Sequence, residues 1–256
     1  MDKVAEQIAQ AVRDCGQIIL HASRSSAMVD EKAGHANFVT TYDRQVQEEL
    51  KSRLASVLPE AAFVGEEEDT HASISEGYAF IVDPIDGTTN FIKDYHASAI
   101  SVGLAKDGQS YIGVVYNPYL DELFMAQRGC GAYLNGCPIH VSDQPLEKGI
   151  VIFGTSPYYE ELAERSFRMV YAYFRKSMDV RRSGSSALDL CNVAAGRAEL
   201  FFELKLSPWD YAAGSLIVTE AGGAVMTAEG GPLRLDEPCS VMAANSPDLL
   251  RVDGYI

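Results

Sequence analysis

The 256-residue sequence predicts a mixed α/β protein in two halves, the first spanning about residues 1–148 and the second about 149–256. Three observations point there. Apolar residues recur at helical spacing close to the N-terminus and again from Val46 to Val57. Strand-like runs separated by turn signals fill Tyr78 to Val141, which predicts a largely antiparallel sheet. From Ile150 onward strands alternate with helices, as in an α/β layer. No linker or internal repeat divides the halves, so a single domain over residues 1–256 with one shared core is expected.

In the first half, Val4, Ile8, Val12, Cys15, Ile18 and Ile19 predict a long amphipathic helix. Ser23 to Asn37 is mostly small and polar, hence loop, and holds Lys32 and His35. Thr40-x-x-Asp43 reads as a capping box with Asp in place of Glu. The helix it opens carries Val46, Leu50, Leu54 and Val57 on one face, and Pro59 ends the helical region. Ala61 to Val64 is a short strand, followed by Gly65-Glu66-Glu67-Glu68-Asp69. A run of acids is ordinarily solvated, but directly after a buried strand and a glycine one of them can point inward. Tyr78 to Val82 is a buried strand; Pro84 has no N–H, so this strand is expected to end at Asp83. Strands from His96 to Ala105 and Ser110 to Tyr116 flank the hairpin signal Lys106-Asp107-Gly108-Gln109. Glu122 to Gln127 and Pro138 to Val141 are further strands around a glycine-rich stretch from Arg128 to Gly136.

In the second half, Ile150 to Phe153 is a strand and Glu160 to Arg175 a helix. Ser185 caps a helix carrying Leu188, Cys191, Val193 and Ala194, which Gly196 ends. Ala198 to Leu204 is a strand. Pro208-Trp209-Asp210 opens a helix that runs to Ala221, since proline suits a first helical turn. Ala224 to Thr227 and Val241 to Ala244 complete the set.

Composition narrows the function. A hydrophobic share of 47% and a charged share of 22% describe an ordinary soluble globular protein. The formal net charge of −15 argues against a nucleic-acid partner, which Lys and Arg would have to neutralise. No apolar run approaches the ~20 residues of a membrane span, and residues 1–13 lack the core of a signal peptide. An odd set of five cysteines without Cys-x-x-Cys fits a reducing cytoplasm. Five scattered histidines without His-Glu-x-x-His argue against zinc and leave a carboxylate-rich magnesium site.

The chemistry concentrates in Asp83-Pro-Ile-Asp86-Gly87-Thr88-Thr89-Asn90-Phe91. Two carboxylates three residues apart meet a glycine that permits a sharp turn and then hydroxyls and free N–H groups. Such a mixture offers oxygen ligands to a hard cation beside donors to an anion, a combination suited to a metal-bound phosphate. A calcium EF-hand does not fit, because Ile85 and Gly87 fall where oxygen side chains are required. Gly129-x-Gly131 lacks the later glycine and following helix of a dinucleotide fingerprint. Asp210, in a first helical turn, also suits the helix dipole. Glu66 and Asp83-x-x-Asp86 at strand ends and Asp210 at a helix start are three acidic positions that a fold can point into one pocket.

Gly65-Glu66-Glu67, the Asp83–Phe91 block and Trp209-Asp210-Tyr211-Ala212-Ala213-Gly214 resemble the signature blocks of the inositol monophosphatase family, and Asn37 to Asp43, Arg181 to Cys191 and Glu199 to Glu203 are also in step. The resemblance implies a layered αβαβα sandwich, magnesium dependence, lithium sensitivity and a homodimer. It implies metal ligands at Glu66, Asp83, the carbonyl of Ile85, Asp86 and Asp210, with Asp43 joining through a bridging water. It further implies that Thr88 polarises the nucleophilic water, that Glu66 activates it, and that the N–H groups of Gly87 and Thr88 hold the phosphate. Asp86, Gly184, Ser185, Ser186, Glu203 and Asp210 are the remaining substrate-binding candidates, and Lys32 matches a position near the site. The implied reaction is magnesium-dependent hydrolysis of a small phosphorylated polyol or sugar, with inositol 1-phosphate as the expected substrate.

The family's relatives also take fructose 1,6-bisphosphate, histidinol phosphate, NADP and 3′-phosphoadenosine phosphates. Ser186 departs from the alanine common in inositol-type members. Arg181 and Arg182 suit a second phosphate. Glu203 matches a position that contacts substrate hydroxyls, against the plainer reading of an exposed strand residue. A non-catalytic binding protein on this fold would be marked by a missing acidic ligand, and none is missing.

Overall fold

The computed structural model describes residues 1–23, 29–31, 38–68 and 72–250, and Lys32, His35 and Asn37 lie outside them. Two helices come first, α1 (Lys3–Leu20) and α2 (Thr41–Val57), with a two-stranded antiparallel ribbon, β1 (Val29–Glu31) and β2 (Phe38–Thr40), between them in sequence. The ribbon corrects the reading of Ser23 to Asn37 as loop throughout. Its sequence carries no alternation long enough to distinguish a three-residue strand from a turn.

A seven-stranded sheet follows, with strand order equal to chain order: β3 (Ala62–Gly65), β4 (Tyr78–Asp86), β5 (Ala99–Lys106), β6 (Gln109–Asn117), β7 (Glu122–Gln127), β8 (Ala132–Leu134) and β9 (Cys137–Ile139). Only the β3–β4 pair is parallel. The second sheet runs β11 (Asp179–Arg181), β10 (Ile150–Phe153), β12 (Leu200–Leu206), β14 (Cys239–Ala244) and β13 (Ala224–Met226) in space. Its helices are α4 (Ala163–Phe174), α5 (Ser186–Ala194) and α6 (Pro208–Glu220); a short α3 (Thr88–Ile92) follows β4.

Side-chain alternation stacks these elements in five layers. Ile8, Val12, Val46 and Leu50 of α1 and α2 pack on Phe80, Val82, Val102 and Val114 from one face of the first sheet. The opposite face gives Val115 and Phe124 to a core with Leu190 and Val193 of α5 and Ile217 of α6, and Phe201 and Val241 of the second sheet join it. On the far side, Leu200, Phe202 and Met242 pack on Met169 and Tyr173 of α4. The order α, β, α, β, α is the layered sandwich expected.

Pro84 does not end β4. Asp83 pairs with Ser101, the register breaks, and Asp86 pairs with Ala99, so the strand continues to Asp86 across an irregularity at the proline. The bulge accommodates the missing donor, as bulges do where a strand must redirect side chains. Two short strands, β8 and β11, were not foreseen; both sit at or near a sheet edge.

Candidate active site

One end of β4, the starts of α3, α5 and α6, and the inner face of β12 converge on a cavity of about 440 Å³. Period-2 alternation explains the strand contributions. Ala79 and Ile81 pack in one cluster with Ala212 of α6, and Asp83 continues that register toward α6. On β12, Phe201 faces the central helices while Leu200 and Phe202 face α4, and Glu203 shares the parity of Phe201.

Carboxylate oxygens of Asp83, Asp86 and Asp210 lie within 4.8 Å of one another. Asp83 and Asp86 are buried, Asp210 half-buried. Each is fixed by the fold. The Ile85 N–H donates to Asp83 Oδ1 at 2.9 Å, closing a turn around Pro84. Ser185 Oγ and the Ala187 N–H, at 2.8 Å, donate to Asp86 Oδ2 from the start of α5. The Ser207 N–H donates to Asp210 Oδ2 at 2.7 Å, half of a capping box that opens α6. Ser185 also caps α5 toward the Leu188 N–H, as expected, so it holds Asp86 and the helix together. Glu66, in the turn after β3, lines the same cavity, as do Ile85, Gly87, Thr88, Gly184, Ser186 and Glu203.

Burial is the main force on these acids. It raises Asp83 and Asp210 well above the usual carboxylate range, reinforced by repulsion from neighbouring carboxylates including Glu66 and Asp86. Burial lifts Asp86 to about 6, opposed by its bonds from Ser185 and Ala187. Asp83, Asp86 and Asp210 form no ion pair with Lys or Arg among the described residues. An all-oxygen donor set carrying uncompensated negative charge fits a hard divalent cation.

Asp43 stands behind this set and does two jobs. Its Oδ2 accepts from the Thr40 N–H at 2.7 Å, completing the capping box of α2, while its Oδ1 accepts from Thr88 Oγ1 at 3.2 Å. Thr88 Oγ1 is also 3.1 Å from the Ile85 carbonyl, so one hydroxyl proton is shared between two acceptors. Burial lifts Asp43 to about 6 despite the bonds from Thr40. Gly87 sits at φ 88°, between β4 and α3. A side chain there would adopt the left-handed region and would meet the carbonyls of Ala97 and Gly184 at 3.0 and 3.1 Å.

A family-model match covers residues 1–252 and is to the inositol monophosphatase family. The chain belongs to that family. A curated relative, inositol monophosphatase 2 of Solanum lycopersicum, is 36% identical over 242 residues, 92% of this chain and 91% of the relative. Another, named Nus factor SuhB, from Vibrio cholerae, is 37% identical over 226 residues, covering 87% and 84%. The solved structure of inositol monophosphate-bound SaIMPase-II matches with a TM-score of 0.80 at 27% identity over 97% of this chain and 92% of that one. As a member of the inositol monophosphatase family, the protein is a phosphatase with an acidic cluster able to hold a metal ion.

Three details depart from the sequence reading. Glu203 is 7% exposed, which excludes the exposed-strand alternative. The two arginines separate: Arg182 lines the cavity, whereas Arg181 is paired with Asp179. Neighbouring contributors also escaped notice. Asn90 Nδ2 donates to the carbonyls of Ala97 and Ser183 at 2.7 and 2.9 Å, tying the α3 turn to the loop before α5. Ser156, Tyr158, Asp189 and Lys205 also line the cavity. Asn90 was within reach, being part of the motif. Asp189 reads from sequence as a routine acid in a first helical turn, and nothing local marks Ser156.

Proposed function

We propose that this site hydrolyses inositol 1-phosphate to inositol and phosphate with magnesium as cofactor. The observation that carries the reading is the Asp83–Asp86–Asp210 cluster, its oxygens within 4.8 Å of one another, which shares one cavity with Thr88, whose hydroxyl donates to the fully buried Asp43 behind it. Glu66, Asp83, Asp86, Asp210 and the Ile85 carbonyl would hold the ion. When bound, magnesium supplies charge neutralisation for the phosphate and the leaving oxygen and acidifies water.

The chain's own groups place the reactants. The Thr88 hydroxyl donates a hydrogen bond to Asp43 or the Ile85 carbonyl, which leaves its oxygen lone pairs as acceptors for a water. Glu66 takes that water's other proton as it attacks phosphorus. The P–O ester bond breaks, the water oxygen stays with phosphorus as part of inorganic phosphate, and the leaving alkoxide takes a proton from a solvent water, which Glu66 replaces by releasing the proton it took. The first N–H groups of α3, at Gly87 and Thr88, have no intrahelical acceptor and suit the phosphate oxygens. Gly184, Ser185 and Ser186 form the opposing wall, and Glu203 accepts hydrogen bonds from ring hydroxyls. The substrate-bound structure of a relative, inositol monophosphate on SaIMPase-II, supports the choice of ester.

The same reading includes lithium inhibition, a homodimer and a cytoplasmic location without a nucleic-acid partner. Five free thiols and a net charge of −15 support the last two features. Among the described residues no helix is long and apolar enough to cross a membrane. Arg182 and Lys205 at the cavity favour one second reading, a sugar bisphosphate. A phosphate-release panel with inositol 1-phosphate, fructose 1,6-bisphosphate, histidinol phosphate, NADP and 3′-phosphoadenosine 5′-phosphate decides between them, with and without lithium at saturating magnesium. The highest specificity constant is expected for inositol 1-phosphate, reduced by lithium; a higher value for the bisphosphate would transfer the assignment.

A further inference from the structure

Glu203 is a buried carboxylate held by neutral donors. The Ser156 N–H donates to its Oε1 at 2.7 Å, and Ser186 Oγ donates to its Oε2 at 2.9 Å. It forms no ion pair among the described residues. Two further features shape the same pocket. Ser156 sits at φ 43°, a left-handed conformation uncommon for a residue with a side chain, and its N–H reaches Glu203 from there. Gly154 lies so close that a β-carbon on it would fall 1.9 Å from Oε2. The carboxylate therefore has one seat, walled by Gly154 and pinned at both oxygens.

Of these contacts, the bond from Ser186 is the one that spans elements far apart in function. Ser186 is the first residue of α5, next to Ser185, whose hydroxyl holds Asp86. The seryl oxygens at 185 and 186 thus point to different acids: one to the metal-cluster carboxylate, the other to Glu203. We infer that Ser186 is a positioning residue for Glu203, fixing the carboxylate's orientation toward substrate ring hydroxyls, and is not itself the substrate contact. The inference rests on the reading of Glu203 as the polyol-recognising group and adds the device that aims it. An alanine at this position would leave Oε2 without its hydroxyl donor, so that only the Ser156 N–H on Oε1 and the Gly154 wall would set the carboxylate's orientation. A hydrogen bond to a charged group is among the stronger protein contacts, so its loss is visible in kinetics.

The test compares inositol 1-phosphate with glycerol 2-phosphate, a simple ester without the ring, at fixed magnesium. The readout is the ratio of the two specificity constants. Glu203→Gln should lower that ratio roughly 10- to 100-fold, and Ser186→Ala about 10-fold, chiefly through KM for inositol 1-phosphate. Ser186→Thr, which keeps the hydroxyl, should restore most of it. The double variant should show little loss beyond Glu203→Gln alone, because both changes remove one coupled interaction. An unchanged ratio in Ser186→Ala beside a lowered one in Glu203→Gln would overturn the positioning role and leave the polyol reading standing. An unchanged ratio in Glu203→Gln would overturn the polyol reading itself. Additive losses would make Ser186 a direct contact and also overturn the inference.

Discussion

The acids at the site are individually unremarkable in sequence and unusual in place. Asp43 and Asp210 are both capping-box residues, a role that needs no chemistry. What sequence could not show is that Asp43 divides its oxygens, one for Thr40 and one for Thr88. Burial of these acids also predicts how the metal-free protein responds to pH. Asp43 and Asp86 move from the ordinary 3.8 to about 6 in the folded state. Between those values the folded chain binds more protons than the unfolded chain, so stability falls as pH rises through the window. Without metal, Tm should drop by several degrees from pH 5 to pH 7, given that about 1 kcal/mol moves a domain of this size by roughly 2–4 °C. Asp83→Asn removes one repelling charge and should flatten the slope, which separates the site's contribution from that of the net charge. Magnesium at pH 7 should raise the wild-type Tm more than that of Asp83→Asn. Scanning calorimetry on both proteins checks this; a wild-type Tm that climbs with pH across the window would contradict it.

At the scale of elements, long periodic segments were legible and short edges were not. The heptad-like recurrence of Ile8, Val12 and Cys15 and the set Val46, Leu50 and Leu54 all proved fully buried. The hairpin at Asp107-Gly108 has both residues at positive φ, as its dipeptide demanded. Strand β11 has three residues and little burial, so its sequence carries no alternation to read. Proline misled at β4 because the rule against proline in a ladder assumes an unbroken register, and here a bulge supplies the exception. The same bulge carries the Asp83–Asp86 spacing, so the irregularity and the motif are one feature. The site itself was largely visible because its acids mark strand ends and helix starts, whereas Ser156 and Asp189 reach it through packing that no local pattern encodes.

At the level of the whole molecule, the outward face of α4, the helix that covers the second sheet, is apolar and exposed. Phe167, Tyr171 and Phe174 on α4, with Met178 beyond it, are 52–64% exposed, and β11 is the terminal strand of its sheet. Large apolar side chains gathered beside a strand edge that pairs with no further strand among the described residues suit a second copy of the chain. Light scattering should give twice the 27.9 kDa chain mass, and Phe167→Glu with Tyr171→Glu should return the single-chain mass. A monodisperse wild type at 27.9 kDa would contradict the homodimer.

On the proposed reading, the Asp83–Asp86–Asp210 cluster hydrolyses a phosphate ester with the help of a bound magnesium ion. Phosphate release from inositol 1-phosphate, followed on wild type and Asp83→Asn with magnesium, with excess chelator and after magnesium is restored, tests it most directly. Wild-type turnover should vanish in chelator and return with magnesium, and Asp83→Asn should run about 100-fold or more below wild type at every magnesium concentration. Turnover that survives the chelator, or an Asp83→Asn enzyme as fast as wild type, would contradict the account.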